Sequence, residues 1–372
     1  MTAGRISRRA LNRATLARQF LLERTDLPVD AVVERLAGLQ AQTPHSWYYG
    51  LWARIAGLSA LDVSAALTER RVVRLALQRS TIHLVSARDC LAWRPLLQPM
   101  IVRASLSQYR RKLEGVDLDE LTALGRTLLA EQPLTFAALE KRLAERWPGH
   151  DPHALSYAVR AYLTLVQVPP RGTWGGSGPI SGPIAHTTAE AWLDARVPAA
   201  SPDELVLRHL AAFGPAGVKD TQVWSGLTRL REVFERLRPA LVVHTDDEGV
   251  EVFDVPDAPR PDEDTPAPVR FLYDFENLHL SYAQRTRFQT PETAAARERT
   301  FTKNGVLPGT ILIDGEVRGV WVLTRERGGV TLTVRPLVPW SAADAEAIEA
   351  EGAGLTAFAS AGPATLVVGE PV

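Results

Sequence analysis

The sequence predicts an α+β chain of three tandem winged-helix domains followed by a β-rich C-terminal part. Three observations predict it. The stretch 203–256 reads as three helices and a hairpin, the same rhythm recurs twice upstream, and beyond residue 269 short alternating strands dominate. The corresponding boundaries are 1–115, 116–199, 200–258 and 259–372.

Near the N-terminus, helical periodicity over about 9–23, 28–39 and 60–69 precedes VVRLALQRSTIHLV (72–85), which reads as strands. In the second unit, LTFAALEKRLAERW (134–147) and the helix opening at HALSYAV run into the apolar stretch LTLVQV. The Gly-rich GTWGGSGPISG (172–182) follows, too irregular for a phosphate-binding fingerprint, and reads as a hairpin or a DNA-facing loop. The third unit is the clearest. A helix to Phe213 stops at Gly214-Pro215, AGVKDTQVWSGL gives a short helix ending at Gly226, and TRLREVFERLRP gives another closed by Pro239. LVVHT and VEVFDV then alternate around Asp246-Asp247-Glu248-Gly249, an acidic tip that DNA would repel. DVPDAPRPDEDTPAPV (254–269) is a linker by composition. Strands in 305–338 turn at Asp314-Gly315 and Gly328-Gly329, and the helical SAADAEAIEAEGAGLTAF closes the chain.

Composition excludes several classes. No run of eighteen apolar residues appears and MTAGRISRRALNRATLARQF lacks a signal-peptide core, so a cytoplasmic protein is expected. The single cysteine, Cys90, rules out an internal disulfide and cysteine-based metal cages and reads as a buried small hydrophobe. Eight histidines without H-x-x-x-H spacing give no metal site, and no cofactor is expected. The net charge of −1 hides an asymmetry: Met1 to Lys112 holds 18 Lys+Arg against 7 Asp+Glu, while the remainder holds 24 against 36. The basic part is almost purely arginine. Two readings stand, a nucleic-acid footprint or a solvated arginine-rich surface.

LAGLQAQTPHSWYYGLWARI (36–55) sets Gln40 and Gln42 two apart, ahead of Pro44 and a run of aromatics. Side chains at i and i+2 diverge on a helix but share a side of an extended chain. The two amides therefore converge only if the helix stops near Gly38 or Leu39, as Gly38 and Pro44 favour. The alternative is that they satisfy stray backbone groups at a helix end. Tyr48 and Trp52 share a core face, whereas Tyr49 or Trp47 is a candidate cleft wall. Arg54, Arg74 and Arg79 belong to the basic half, where phosphate contact and solvation compete, and His83 is a structural residue or a second cleft residue.

GLQAQTP with YYGLWARI, LQRSTIHLVSARD (77–89), AFGPAGVKDTQVWSGL, FENLHLSYAQRTR (275–287) and GTILIDGEVRGVW together resemble the bacterial winged-helix DNA glycosylases of the AlkZ and YcaQ family, in order over nearly the whole chain. The Gln-x-Gln form is similar to the AlkZ branch; the YcaQ branch carries Gln-x-Asp. The resemblance implies catalytic roles for Gln40 and Gln42; on the basic half and the cleft reading, Arg54, Arg74, Arg79, His83 and Tyr49 are the expected DNA contacts. It also implies a monomeric, nucleoid-associated enzyme acting on double-stranded DNA with alkylated guanine, without a membrane. Members of that branch protect antibiotic producers by excising bulky alkylated bases, interstrand crosslinks included. Around 275–287 this chain departs from the family pattern. Glu276-Asn277 stands for Asp-Asn, Tyr282-Ala283-Gln284-Arg285 for His-Ala-Asp-Arg, and His279 for an apolar residue, which implies an altered substrate preference.

Hydrolysis of an N-glycosidic bond ordinarily uses an acid, a carboxylate for water and stabilisation of a cationic sugar. An N7-alkylated guanine already carries positive charge and leaves neutral, so positioning by amides suffices. Only Lys112, Lys141, Lys219 and Lys303 are lysines and none lies in the motif, so a monofunctional enzyme with no lyase step is expected. The rival readings are a winged-helix transcription regulator without catalysis and a protein–protein scaffold.

Overall fold

The computed structural model describes residues 2–175, 178–300, 307–326 and 329–372. Lys303, Gly328, and the loop positions Gly176 and Ser177 lie outside the described residues. The chain is α+β, and one order of elements recurs three times: helix, short strand, two helices, then two strands. In the first unit these are Val29–Arg35, Leu39–Gln40, Ser46–Trp52, Ala60–Thr68, Val72–Ala76 and Ile82–Ser86. In the second they are Leu118–Glu131, Leu134–Thr135, Phe136–Arg146, Pro152–Tyr162, Leu165–Val168 and Ala185–Thr188. In the third, Pro202–Phe213, Val218–Ser225 and Arg231–Leu237 lead to Val242–Thr245 and Glu251–Asp254, and a lone bridge at Ala216 replaces the short strand. Each short element pairs antiparallel with the last strand of its own unit, through Gln40 and His83, Leu134 and His186, and Ala216 and Phe253.

Local chemistry accounts for the helix limits. Ser201 and Glu204 form a capping box ahead of Pro202, which occupies the first turn where a missing N–H is harmless. Gly226 ends Val218–Ser225 at φ +79°, a conformation that glycine adopts without strain. The N-terminal helix, expected over 9–23, covers only Arg8–Arg18, and Phe20 turns to φ +54°. The strand Thr2–Arg5, whose four residues show no alternation, adds in parallel to Val242–Thr245.

The first two units are not separate bodies. Val72–Ala76 pairs with Leu165–Val168 through Arg74 opposite Gln167 and Leu75 opposite Val166, fusing their strands into one six-stranded sheet across the expected boundary at 115/116. The C-terminal part is a five-stranded sheet in the order Arg270–Leu272, Gly309–Ile313, Glu316–Glu326, Gly329–Pro336, Ala364–Val368, with the helix Ala342–Ala359 laid on it. The Gly-rich segment forms a small hairpin of Trp174–Gly175 and Gly178–Pro179.

One apolar core unites the first unit, the third unit and the C-terminal part, through Trp47, Leu84, Trp93, Phe213, Phe271, Trp321 and Leu355 among others. The second unit has its own, built on Leu121, Leu129, Leu139, Leu143, Leu155 and Val159. Cys90 is buried and free.

Charge joins the ends of the chain as well. Arg8, Arg9, Arg13, Arg18, Arg24 and Arg54 each pair with a carboxylate between Asp254 and Glu351. The asymmetry that reads in sequence as a nucleic-acid footprint is therefore used in good part to hold the basic N-terminal region against the acidic remainder. Two of these pairs are wholly buried. Arg18 grips Asp254 with both guanidinium ends at 2.7 and 2.8 Å, and Arg54 grips Glu276 at 2.6 and 3.2 Å.

Removing one member of a buried pair strands the other charge, whereas removing both does not. Glu276→Met alone is expected to lower stability to urea by about 3–5 kcal/mol, and the double replacement Arg54→Met with Glu276→Met by much less. Equal losses in the two proteins would show that the pair is not the source of the penalty.

Candidate active site

The two glutamines follow a helix that stops early. After Val29–Arg35 the Ala37 N–H donates to the Glu34 carbonyl at 3.0 Å and the Gly38 N–H to that of Val33 at 3.0 Å, a closure that satisfies two carbonyls of the last turn. Ala37 and Gly38 both take positive φ, +55° and +84°. A Cβ at Gly38 would also stand 2.8 Å from Val85 Cγ1, so the position requires glycine. From there Leu39–Gln40 runs extended beside Ile82–Ser86.

The ladder continues past Gln40 by a change of partner. Ala41 N–H donates to the Ile82 carbonyl at 2.7 Å, and the Ile82 N–H donates to Gln42 Oε1 at 3.2 Å. Gln40 Oε1 accepts from Arg79 Nη2 at 2.7 Å. Both amide side chains thus converge on the segment 79–82, Gln40 only 5% exposed and Gln42 open to solvent. A guanidinium and a backbone N–H can only donate, so the oxygen of each amide faces the protein and the assignment of O and N is not arbitrary.

That segment is itself unusual. Leu77 sits at φ −137°, ψ −116°, and Arg79 and Ser80 take φ +54° and +60°. Ser80 Oγ meets Ser105 Oγ at 2.9 Å, and Arg79 Nη1 donates to the Trp224 carbonyl, tying the turn to the third unit. Gln78 is fully buried, and neither its Oε1 nor its Nε2 has a hydrogen-bond partner among the described residues. His83 stands opposite Gln40, buried, with Nδ1 3.0 Å from the Thr81 carbonyl. Burial, with the nearby Arg79 charge, pushes the His83 pKa down to about 3, so the ring is neutral and Nδ1 carries the proton it donates.

Three side chains brace the strand, two from its open edge and Arg74 from the neighbouring hairpin. Asn277 Nδ2 donates to the Gly38 carbonyl at 2.8 Å, Tyr273 OH to that of Gln40 at 3.0 Å, and Arg74 Nη2 to that of Ala41 at 2.8 Å. Sequence reasoning singled out Asn277 only as part of a motif and missed Tyr273 altogether; a single tyrosine just past a strand end carries no local signal of this task. The loop around 275–287 is thereby given a place, as a support behind the glutamines. Its His279 contacts Thr310 Oγ1 at 3.0 Å and Tyr282 OH donates to the Phe213 carbonyl at 2.6 Å.

Of the residues expected to touch DNA, Arg79 and His83 stand beside the glutamines, and the other three are buried in this conformation. Arg54 has no exposed surface and is closed onto Glu276, so it makes no phosphate contact in this conformation. Arg74 is buried beneath the strand it braces, 5.5 Å from the Trp47 ring centroid. Tyr49 is core, edge-on to Trp174, Trp321 and Phe358, and Trp47, Tyr48 and Trp52 are buried with it. An apolar helix face this crowded leaves no aromatic wall free. Two large depressions, about 500 and 680 Å³, lie elsewhere, one walled by Lys219, Glu248 and Gln284 and one by Arg35, Arg88 and Arg208; neither is lined by the glutamines.

Comparison with known proteins follows from this geometry. The profile of the family described as "DNA glycosylase AlkZ-like" matches residues 33–358. Among solved structures, the Streptomyces sahachiroi DNA glycosylase AlkZ superposes with a TM-score of 0.79, covering 98% of this chain and 100% of that one at 20% identity. At that identity the likeness speaks for the fold. No curated protein matches the chain in sequence.

Replacing Asn277 by alanine leaves the Gly38 carbonyl without its donor, and the expected loss is about 1–3 kcal/mol of stability. Amide exchange at Ala41 and Ile82 should quicken with it; exchange as slow as in the parent would show that the strand does not need this brace.

Proposed function

Since the chain belongs to the AlkZ-like DNA glycosylase family, its reaction is the hydrolysis of a base–sugar bond in DNA, and we propose that the base is a guanine carrying a bulky alkyl group at N7. The reading as a regulator without catalysis gives way to that membership. One observation carries the proposal: the two side chains at the centre of the site are neutral amides, and the nearest titratable ring, His83, is locked in its neutral form. A site with no group of neutral-range pKa protonates no leaving base. It suits a substrate whose leaving base needs no proton.

The reaction balances without enzyme-derived acid. The C1′–N9 bond breaks toward the positively charged purine ring, whose electron pair makes the departing N7-alkylguanine neutral. Water adds to the sugar cation and releases one proton to solvent, leaving an abasic site. Gln42 is assigned to the water: its Oε1 holds one bond from Ile82 N–H and retains a second lone pair, which accepts from a water at the open surface. Gln40, whose oxygen is occupied by Arg79, offers Nε2–H to the same water or to the sugar. Both groups act by placement, and forgoing a proton acceptor costs about 10²–10⁴ in rate, tolerable only for an activated leaving group. Normal bases should be ignored. The exposure of Gln42 outside any of the large depressions favours bulky adducts on duplex DNA, and it extends the reading to unhooking of interstrand crosslinks and to protection of a producer from its own genotoxic metabolite. A monomer acting in the cytoplasm, close to the nucleoid, fits that task.

Release of N7-alkylguanine from duplex DNA, followed as abasic sites, is the direct test. Gln42→Ala is expected to slow it at least about 100-fold, and an unchanged rate would remove the assignment. Borohydride should trap no covalent DNA adduct, since among the described residues no lysine stands at the site. The single-turnover rate at saturating protein should stay level between about pH 5.5 and 8.5. His83, with its pKa near 3, and His45, held near 4 by burial and three arginines, are neutral throughout that window, while Arg79, lowered by burial only to about 10, stays charged. A sigmoid centred near pH 6–7 would place a titrating group in the reaction.

A further inference from the structure

We propose that Arg79 is the positioning residue of the reaction, fixing which end of the Gln40 amide meets the substrate. This rests on the reading that Gln40 belongs to the reacting pair. Arg79 reaches no carboxylate among the described residues, and its fork is divided between two neutral oxygens, Gln40 Oε1 at 2.7 Å and the Trp224 carbonyl. A largely buried arginine given over to an amide rather than to an acid stabilises the fold poorly, because burial of its charge is incompletely offset. What it does achieve is orientation. Because a guanidinium offers only donors, the oxygen of Gln40 is bound to face it, and Nε2 is turned to the opposite side.

The backbone around Arg79 points the same way. Arg79 and Ser80 occupy the left-handed region in succession, and each such non-glycine residue costs about 1–2 kcal/mol. Strain of that kind persists only where the surroundings over-determine it. Here they do. Leu77 N–H donates to the Thr81 carbonyl at 3.0 Å, Ser80 Oγ meets Ser105 Oγ, and the turn packs in van der Waals range of Gly226. The turn therefore delivers the guanidinium to one place, between the strand that carries Gln40 and the helix end of the third unit. The positive charge also polarises the amide it binds, making Nε2–H a stronger donor than an unassisted amide toward water or sugar oxygen. Arg79 thus acts through Gln40 and not through a phosphate.

A double-mutant cycle separates this from the alternatives, read as the single-turnover rate at saturating protein beside the dissociation constant for undamaged duplex DNA. Gln40→Ala tests the underlying reading: a parental rate would overturn the role of Gln40 and the role of Arg79 with it. If Gln40→Ala is slow, Arg79→Met should be slower than the parent by about 10–100-fold, with DNA affinity held within about twofold. The double variant should then be no slower than Gln40→Ala alone. Arg79→Lys should keep DNA affinity without restoring the rate, since a point charge does not reproduce the fork. Multiplicative losses in the double variant would overturn the proposal. So would weakened DNA binding at an unchanged saturated rate, which marks a phosphate contact. Should Arg79→Met fail to fold, Gln40→Glu carries the test: a carboxylate facing Arg79 should melt no lower than the parent and be slow, whereas a lowered melting temperature would show that Arg79 does not face position 40.

Discussion

The site depends on satisfying the backbone of a strand two residues long. Leu39–Gln40 has a partner strand on one side only, and so short a strand has little stability of its own. The carbonyls of Gly38, Gln40 and Ala41 would otherwise lie buried without donors, at about 1–3 kcal/mol each. Asn277, Tyr273 and Arg74 supply those donors, from the C-terminal part and from the neighbouring hairpin. The catalytic segment is thus local in sequence and non-local in support. That is why Arg54, next to the aromatic helix, is closed onto Glu276: the same C-terminal loop that braces the strand is itself pinned by a buried ion pair.

Much of this could be read beforehand, and the failures share a cause. The early stop of the helix before the glutamines was legible, because Gly38 and Pro44 act through local backbone sterics. The third unit was legible because Gly214-Pro215, Gly226 and Pro239 punctuate it. What depends on distant partners was not. Arg54 and Arg74 counted as free positive charge since nothing near them in sequence announces Glu276 or the Ala41 carbonyl. Tyr49 or Trp47 reads as a cleft wall because spacing alone cannot tell which of four aromatics in a short helix faces Trp174 and Trp321. The fusion of two units into one sheet rests on two residue pairs in strands already legible as strands, so the hydrophobic pattern is the same with or without it.

Neutrality is a property of the whole neighbourhood. Gln40 and Gln42 carry no charge, burial keeps His83 from gaining one, and the cation bound to Gln40, Arg79, is held by oxygens that cannot titrate. The electrostatic environment around Gln42 is consequently set once, by folding, and not by solution conditions. In the proposed reaction, selectivity follows from the charge of the alkylated base itself. The departure at Glu276 from the family pattern fits the same logic: its carboxylate lies behind the site, spent on Arg54, and lends nothing to the chemistry.

The brace from Tyr273 and Asn277 also sets an order of events in the cell. A ribosome that has released the first two units has already produced both glutamines, the strained turn and Arg79, yet neither Tyr273 nor Asn277, which hold the strand in place. Copies that stop before Tyr273 would carry both glutamines on an unbraced strand. The strand is thereby held in place only in chains translated past Asn277.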